Sequence, residues 1–293
     1  MSLSQIAVVG AGFMGSGIAE SAGSAGVNVF LYEPEHEPLE RSRKRLTEST
    51  DRAVSRGKLG RPEADALLGR ISYTTSLDDL DGVEAVVEAV FEDLGVKSKL
   101  FQELDARFPD AAFLASNTSS IPIAELAAAT KRPERVVGLH FFSPVPVMKL
   151  VEVVAALETS VETVAAAESF AAQIGKQAIR TKDRAGFIVN TLLVPYLMAA
   201  VRMYEQGFAS REDIDTGMRL GCGHPMGPLT LCDFIGLDVL HGICESLYQE
   251  FKQPEYAAPP LLKRMVVAGH HGRKTARGFY DYGKDAQNTG VSA

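Results

Sequence analysis

The segment Gly10-Ala11-Gly12-Phe13-Met14-Gly15 decides the fold that we expect for this chain of 293 residues. It follows an apolar run at residues 6–9, which has the length of a strand, and it precedes a helical stretch at residues 16–25. A G-x-G-x-x-G pattern is a weak signal alone, but between a strand and a helix it is typical of a dinucleotide-binding turn. The segment therefore predicts an α/β fold that begins with a nucleotide site.

Each position of this segment has an expected task. Gly10 permits the tight turn, Gly12 lets the backbone approach a pyrophosphate, and Gly15 lets the helix pack closely. Phe13 and Met14 lie just before the predicted helix, within the turn. Unpaired N–H groups and the positive end of the helix dipole would face the phosphates there.

The residue after the second predicted strand bears on the choice of cofactor. Glu33 follows the strand at residues 27–32 and stands 23 positions after Gly10. An acidic side chain at this distance is typical of contacts with the adenosine ribose hydroxyls. Its carboxylate would repel the additional phosphate of NADP, and the nearest basic candidate for that phosphate is Arg41, several residues away. We therefore expect NAD as the cofactor rather than NADP.

The first half of the chain alternates between strand and helix signals. Strands are expected at residues 6–9, 27–32, 85–90, 112–115, 136–139 and 177–179, and helices at 16–25, 97–108 and 123–129. A capping box from Thr159 to Glu162 is expected to open a further helix that ends near residue 174. Continuous apolar strands between helices predict a doubly wound, mostly parallel sheet of Rossmann type.

The character of the chain changes after Asp183. Residues 187–204 are apolar nearly all round, which is typical of a buried helix, and no strand pattern follows until residues 278–282. We place the domain boundary between residues 184 and 185. The first domain is expected to bind the dinucleotide, and the second is expected to be helical.

Composition and charge exclude several classes of protein. The chain is 46% hydrophobic with a net charge of −7, which is typical of a globular protein and argues against binding to nucleic acid or to anionic membranes. No signal peptide is visible, and the longest uncharged run, residues 185–201, is short for a membrane helix. Cys222, Cys232 and Cys244 form no Cys-x-x-Cys, so we expect reduced core thiols in a cytoplasmic protein and no metal site.

One stretch carries an excess of positive charge. Residues 41–61 contain eight basic and two acidic side chains, and Leu39, Leu46 and Val54 recur at helical spacing. This predicts an amphipathic helix with a basic face. The face is either merely solvated or a docking site for a phosphorylated ligand, and the residues alone leave both interpretations open.

Polar residues that interrupt apolar runs are the candidates for chemistry. Ser119 follows the strand at 112–115, His140 follows the strand at 136–139, and Glu152 and Asn190 lie in apolar surroundings. Each also has a structural interpretation, as a helix cap, a core residue or a surface residue. Together with a dinucleotide site, they supply a base, a carboxylate to orient it and donors for an oxygen atom. Oxidation of an alcohol by NAD needs such a set.

Five motifs resemble those of the short, single-function L-3-hydroxyacyl-CoA dehydrogenases, and most of all the bacterial 3-hydroxybutyryl-CoA dehydrogenases. The motifs are GAGFMGSGIA at 10–19, SNTSSI at 116–121, GLHFFSPVPVMKLVEVV at 138–154, GFIVNTLLVPYLMAA at 186–200 and HPMGPLTLCDFIGLD at 224–238. The resemblance extends from Ile6 to about Tyr282. It is therefore a resemblance of nearly the whole chain.

The resemblance implies a role for each candidate. His140 would be the catalytic acid and base, Glu152 its partner, and Ser119 and Asn190 would contact the substrate oxygen. The residues that it places near the cofactor are Glu92, Lys97, Asn117, Ser119, Ser143 and Lys274. Members of the family usually have Asp at the position of Glu33, and many have Asn at the position of Ser143.

The resemblance also bears on the basic stretch and on assembly. In the family, a helical hairpin after the second strand contacts the nucleotide end of CoA, and Ser49 and Arg56 stand at the matching positions. The helical domain, residues 185–293, would bind substrate and form a homodimer, in part because its apolar content exceeds what one hairpin can bury.

These observations lead to one expected function and two alternatives. We expect NAD-dependent interconversion of a (3S)-3-hydroxyacyl-CoA, such as 3-hydroxybutyryl-CoA, and the 3-ketoacyl-CoA. A dehydrogenase of another 3-hydroxy acid or of an acyl-carrier-protein thioester is the first alternative. A non-catalytic NAD-binding protein is the second.

Overall fold

Two compact units make up the described part of the protein, residues 2–283 of a computed structural model. The division falls between Phe187 and Ile188. The first unit is an α/β domain, and the second is helical in the residues that the structure describes. The division lies three residues beyond the boundary that we placed from the sequence.

The first unit contains eight strands among residues 2–187. They are β1 Gln5–Val9, β2 Asn28–Tyr32, β3 Ile71–Thr74, β4 Ala85–Glu88, β5 Leu114–Ser116, β6 Val136–Phe141, β7 Leu150–Ala155 and β8 Gln177–Lys182. Its helices are α1 Phe13–Ser24, α2 His36–Ser55, α3 Arg61–Gly69, α4 Leu94–Arg107, α5 Ile123–Ala127 and α6 Val161–Gln173. Single turns of 3-10 helix lie at Leu77–Asp79 and Pro133–Arg135.

The strands form one sheet in the order β3-β2-β1-β4-β5-β6-β7-β8. Neighbouring strands run parallel except β6 and β7, which are antiparallel. The carboxyl ends of β1, β2, β4, β5 and β6 therefore meet at one edge, where ligands bind in open α/β sheets. This confirms the predicted doubly wound, mostly parallel fold.

Helices cover both faces of the sheet because its central strands are apolar at consecutive positions. Ile6 and Val8 of β1 pack in one buried cluster with side chains of α1 and α6. Ala7 and Val9 point the other way and pack with side chains of α4. Successive residues of a strand face opposite sides, so a fully apolar strand fits only between two covered faces.

The second unit consists of helices joined by short turns. These are α7 Val189–Glu205, α8 Arg211–Cys222, α9 Pro228–Ile235, α10 Leu237–Phe251 and α11 Pro260–Val267, with 3-10 turns at Pro254–Tyr256 and Arg273–Thr275. Two buried carboxylates organise it. Asp215 accepts a hydrogen bond from the backbone N–H of Leu229 at the start of α9, and Asp233 accepts from the N–H groups of Phe279 and Tyr280. No helix among residues 2–283 combines the length and apolar character needed to cross a bilayer.

Several local predictions were wrong. The helix after β7 is capped by Ser160, whose hydroxyl accepts from the N–H of Thr163, whereas the hydroxyl of Thr159 donates to the carbonyl of Val136. Neither β3 nor β7 was predicted, because only two of the four residues of β3 are hydrophobic and Glu152 interrupts the apolar run of β7. Cys222 is exposed and so is not a core thiol, whereas Cys232 and Cys244 are buried as expected. Residues 278–282 form only an isolated bridge, between Arg277 and Asp281.

Candidate active site

The glycine-rich segment forms a tight turn between β1 and α1. Gly10 has a φ of +107°, and a Cβ on it would lie 2.6 Å from the carbonyl oxygen of Ala89. A Cβ on Gly15 would lie 1.8 Å from the carbonyl oxygen of Gly10, so α1 packs directly against the turn. A Cβ on Gly12 would meet no atom within 4 Å. A side chain at Gly10 or Gly15 would therefore clash with the backbone, whereas the space beside Gly12 is open.

The first turn of α1 faces this open space. Phe13 is half exposed, and Met14 packs partly against the core. The guanidinium of Arg45, on α2, donates to the carbonyl oxygen of Gly12 at 3.2 Å and to the hydroxyl of Ser16 at 2.6 Å. Burial lowers the pKa of Arg45, and nearby Arg41 lowers it further. In the sequence Arg45 was only one member of a charged run, so this contact was not predicted.

Glu33 lies beside the turn, immediately after β2. One oxygen of its carboxylate accepts a hydrogen bond from the N–H of Ala11 at 3.1 Å. Glu33 and Gly12 line a cleft of about 270 Å³, partly open to solvent, with Val90, Phe91 and Leu100 among its apolar side chains. Open space at Gly12, a carboxylate and an apolar wall fit the pyrophosphate, ribose and base of a dinucleotide.

His140 and Glu152 form a buried hydrogen-bonded pair. The Nδ1 of His140 and the Oε2 of Glu152 are 2.7 Å apart, and the two residues are 4% and 0% exposed. They stand directly opposite each other in the antiparallel pairing of β6 and β7, where side chains on one face of the sheet meet. Because β7 lies between β6 and β8, Glu152 does not lie on an edge strand.

Ser119 contacts the other nitrogen of the imidazole. Its hydroxyl lies 3.0 Å from Nε2 of His140. Ser119 does not cap α5, because the first N–H groups of that helix, from Ile123 and Ala124, donate to the carboxylate of Asp183. The structure thus brings together the predicted residues Ser119, His140 and Glu152 in one hydrogen-bonded chain.

Aromatic rings surround this chain. The rings of Phe142 and Phe187 lie 4.7 Å and 5.3 Å from the imidazole of His140, measured between centroids. Phe187 is buried and has a φ of +48°, which is rare for a bulky residue and costs backbone energy. The rings exclude water from one side of the imidazole.

Glu92 and Lys97 form an ion pair near the loop that carries Ser119. Lys97 is buried, and its ammonium lies 3.1 Å from the carboxylate of Glu92 and 2.8 Å from that of Glu88. Burial raises the pKa of Glu92, but the charge of Lys97 and hydrogen bonds from Thr118, Lys97 and the N–H of Ser119 outweigh that effect, so the pKa is lowered. Glu92 is therefore held as a carboxylate.

The remaining candidates of the first unit lie around the same edge of the sheet. The side-chain oxygen of Asn117 accepts from the N–H of Phe141 at 3.0 Å and so joins the ends of β5 and β6. Ser143 is exposed in the loop after β6.

Two candidates belong to the second unit. Asn190 lies in the first turn of α7 and is largely buried. Lys274 lies in a 3-10 turn, where its ammonium is 2.6 Å from the carboxylate of Asp238. Burial raises the pKa of Asp238, but the hydrogen bond from Lys274, backbone hydrogen bonds and the charge of Lys274 together outweigh that effect, so the pKa is lowered.

The basic stretch is a helical hairpin rather than a single helix. It extends over α2, the following turn and the start of α3. Basic residues of the hairpin form ion pairs with nearby acids: Arg41 with Glu37, Arg43 with Glu40, Lys44 with Glu48 and Arg61 with Asp51. Much of the positive charge is thus matched within the hairpin.

Ser49 and Arg56 lie on the same side of the hairpin. They are seven positions apart, which is about two helical turns, and Arg56 is the C-cap residue that follows α2. The hydroxyl of Ser49 donates to the carboxylate of Glu20 on α1 at 2.8 Å. Burial raises the pKa of Glu20, and the hydrogen bond from Ser49 opposes that rise.

The described part of the chain contains no cluster of side chains that could bind a metal ion. Among residues 2–283, no group of three or more His, Cys, Asp or Glu side chains could hold a metal ion.

Comparisons with known proteins identify the family. Residues 5–184 match the model of the 3-hydroxyacyl-CoA dehydrogenase NAD-binding domain, and residues 186–282 match that of the C-terminal domain. The 3-hydroxybutyryl-CoA dehydrogenase of Mycobacterium tuberculosis is 53% identical over 96% of this chain and 99% of that protein. The probable 3-hydroxybutyryl-CoA dehydrogenase of Bacillus subtilis is 44% identical over 96% of this chain and 98% of that protein.

Solved structures agree with this assignment. Mycobacterium tuberculosis FadB2 has a TM-score of 0.94 at 53% identity, covering 96% of this chain and 100% of that one. The (S)-3-hydroxybutyryl-CoA dehydrogenase PaaH1 of Ralstonia eutropha has a TM-score of 0.90 at 43% identity, covering 97% and 100%. The chain therefore belongs to the 3-hydroxyacyl-CoA dehydrogenase family of NAD-dependent oxidoreductases.

Proposed function

We propose that the protein interconverts (3S)-3-hydroxybutyryl-CoA and acetoacetyl-CoA, with NAD as its cofactor. The single observation that carries the proposal is the chain of hydrogen bonds Ser119–His140–Glu152, which lies at the same sheet edge as the glycine turn. Bound NAD would supply the acceptor for the hydride that leaves C3. The names of the relatives at 53% and 44% identity support the four-carbon substrate.

The hydrogen bonds of His140 define its part in the reaction. A carboxylate only accepts hydrogen bonds, so Glu152 holds the proton of His140 on Nδ1. The Nε2 atom is then left with a lone pair, to take the proton of the C3 hydroxyl as a general base. Glu152 stabilises the imidazolium that forms, and it orients the ring throughout.

The remaining assignments complete the site. The hydroxyl of Ser119 binds the substrate oxygen beside Nε2, and Asn190 supplies a second contact to that oxygen, by resemblance. Residues 10–15, Glu33, Glu92, Lys97, Asn117, Ser143 and Lys274 are assigned to the cofactor. Ser49 and Arg56 are assigned to the nucleotide end of CoA.

Domain roles and location follow the same proposal. Residues 1–184 form the NAD-binding domain, and residues 185–293 form the domain that binds substrate and pairs with a second copy. The absence of a membrane-crossing helix among the described residues is compatible with our assignment to the cytoplasm.

The absorbance of NADH tests the proposal directly. Purified protein should oxidise NADH with acetoacetyl-CoA and reduce NAD with (3S)-3-hydroxybutyryl-CoA, but not with the (3R) isomer. Longer acyl-CoA substrates, free 3-hydroxybutyrate and an acyl-carrier-protein thioester distinguish the alternatives. Faster turnover of the free acid or of the carrier-protein thioester would contradict the CoA assignment, and NADH binding without turnover of any substrate would indicate a non-catalytic protein.

A further inference from the structure

Glu88 is a fully buried carboxylate for which neither the sequence motifs nor the proposed mechanism has a role. It is the last residue of β4 and is 0% exposed. Its oxygens accept hydrogen bonds from the ammonium of Lys97 at 2.8 Å and 3.1 Å, from the hydroxyl of Ser116 at 2.6 Å and from the N–H of Val90 at 2.7 Å. Three separate segments therefore donate to one side chain.

Each of these donors belongs to a segment that carries the site. Val90 lines the cleft beside the glycine turn, and Lys97 lies in the first turn of α4. Ser116 ends β5, and its oxygen also accepts from the N–H of Thr118 at 3.2 Å. The carboxylate of Glu88 thus fixes the start of the loop that contains Ser119.

Glu88 also contacts the same loop indirectly, through Lys97 and Glu92. The ammonium of Lys97 bridges Glu88 and Glu92. One oxygen of Glu92 then accepts from the N–H of Ser119 at 3.0 Å and from the N–H and hydroxyl of Ser120 at 3.3 Å and 3.0 Å. The loop is therefore held from both sides by groups that Glu88 anchors.

The charge of Glu88 is necessary for this arrangement. A buried ammonium needs compensating carboxylates, and a carboxylate is the side chain that accepts from several donors without presenting one of its own. An amide at this position would turn an NH₂ group toward Lys97, Ser116 or the N–H of Val90. At least one of those donors would lose its partner and move away.

We propose that Glu88 is a positioning residue for the reaction: it holds Lys97 and Ser116 so that the loop through Glu92 places the Ser119 hydroxyl against Nε2 of His140. This inference rests on the proposed function. It concerns only how accurately Ser119 is placed, because Glu88 touches neither Ser119 nor His140 in the contacts described. A displacement of about 1 Å at such a site lowers turnover by about 10²-fold, so the expected effect falls on kcat.

The test compares Glu88→Gln with a matched control, Asp105→Asn. Asp105 is also a buried carboxylate of this unit, paired with Arg132, and it lies on the same helix as Lys97. It is eight positions further on, at about 1.5 Å per residue and so ~12 Å along the axis. Both variants lose a buried ion pair and should lower the melting temperature, but only Glu88→Gln should disturb the loop.

Kinetics give the first readout, at a temperature where melting curves show both variants folded. Glu88→Gln should lower kcat about 10- to 100-fold and change KM for acetoacetyl-CoA by no more than about threefold. Asp105→Asn should keep the parent kcat. Ser116→Ala removes one of the hydrogen bonds to Glu88 and should also lower kcat. It is the decisive variant if Glu88→Gln does not fold. The inference is overturned if kcat of the decisive variant equals that of Asp105→Asn.

Amide hydrogen exchange gives a second readout that needs no turnover. Exchange at residues 118–120 should be faster in Glu88→Gln, or in Ser116→Ala, than in the parent and in Asp105→Asn. Parent turnover of acetoacetyl-CoA tests the proposed function separately. If the parent is inactive but exchange is faster only in Glu88→Gln or Ser116→Ala, the proposed function is overturned and the role of Glu88 in holding the loop stands. Equal exchange in all variants would overturn that role.

Discussion

The imidazole of His140 is held at both ring nitrogens, by Glu152 on one side and Ser119 on the other. His140 and Glu152 lie on the paired strands β6 and β7, and Ser119 lies in the loop after β5, so the ring cannot rotate without breaking a hydrogen bond. A base that is oriented before substrate binds avoids an entropy cost in the reaction. The geometry of this residue therefore supports proton transfer at Nε2.

We predict that His140→Ala abolishes most turnover without loss of NADH binding. Removal of a general acid–base group typically lowers the rate by about 10²- to 10⁴-fold. The glycine turn is built from β1 and α1, so its geometry does not depend on His140. Steady-state kinetics and NADH fluorescence titration measure the two properties.

Glu152→Gln serves as the isosteric comparison for this prediction. It keeps the shape of the side chain and removes its charge, so it should lower kcat with little effect on KM. A His140→Ala enzyme that keeps most of its kcat would refute the role given to the imidazole.

We predict that the protein prefers NAD to NADP because of the charge of Glu33. The carboxylate faces the cleft beside the turn and would repel a 2′-phosphate. Glu33→Gln should reduce the ratio of kcat/KM for the two cofactors by about tenfold or more, which corresponds to at least about 1.4 kcal/mol. Asp65→Asn, which removes an exposed charge on α3, should leave the ratio unchanged. Equal kcat/KM values for NAD and NADP in the parent would disprove the assignment.

Single residues show how far the sequence alone could predict the site. The roles of Ser119, His140 and Glu152 were predicted from motifs, and the structure places the three side chains together. Arg45 and Glu88 were missed because their partners are distant in the chain. A glutamate at the end of an apolar run was visible at position 88, but nothing in the run indicates that Lys97 and Ser116 converge on it.

At the scale of elements, the antiparallel pairing of β7 with β6 brings the two members of the proposed His140–Glu152 pair together. A parallel strand would need a long crossover, whereas β7 follows β6 after a short loop and returns beside it. The return sets the register that places Glu152 opposite His140. The sequence predicts the strand β6 but not β7, and it does not predict the register of the pair, because register depends on how the loop at 142–149 folds.

The basic hairpin leads to a prediction about binding. If it docks the phosphates of CoA, Arg56→Ala should raise KM for acetoacetyl-CoA and leave kcat near the parent value, which is the signature of lost uniform binding. Added salt should raise KM in the parent, since the Debye length falls from ~10 Å at 0.1 M to ~3 Å at 1 M. A short thioester without the nucleotide should react poorly and show little sensitivity to Arg56.

Lys44→Ala is the control for the hairpin. Lys44 is exposed and lies 3.9 Å from Glu48 on the same helix, so its removal tests the general charge of the hairpin. A similar rise of KM in both variants would indicate nonspecific attraction. An unchanged KM in Arg56→Ala at low salt would mean that this face is only solvated.

At the scale of the whole molecule, both units leave large apolar side chains exposed to solvent in the single chain. The sheet of the first unit is enclosed by helices on both faces. The second unit leaves large side chains exposed on its helices and turns, among them Leu192, Phe208 and Leu220. Exposed apolar patches of this kind are typical of protein–protein interfaces.

We predict that the protein is a homodimer that pairs through its second unit. Sedimentation should give about twice the chain mass of 31.5 kDa. Leu220→Asp should shift the equilibrium toward the monomer, because the side chain is 78% exposed in the single chain and a charge there costs the fold little but would be buried on association. Leu157→Asp, at a 91% exposed position of the first unit, should leave the dimer intact. A monomeric parent would refute dimerisation, and dimers that survive Leu220→Asp but dissociate in Leu157→Asp would place the interface on the first unit.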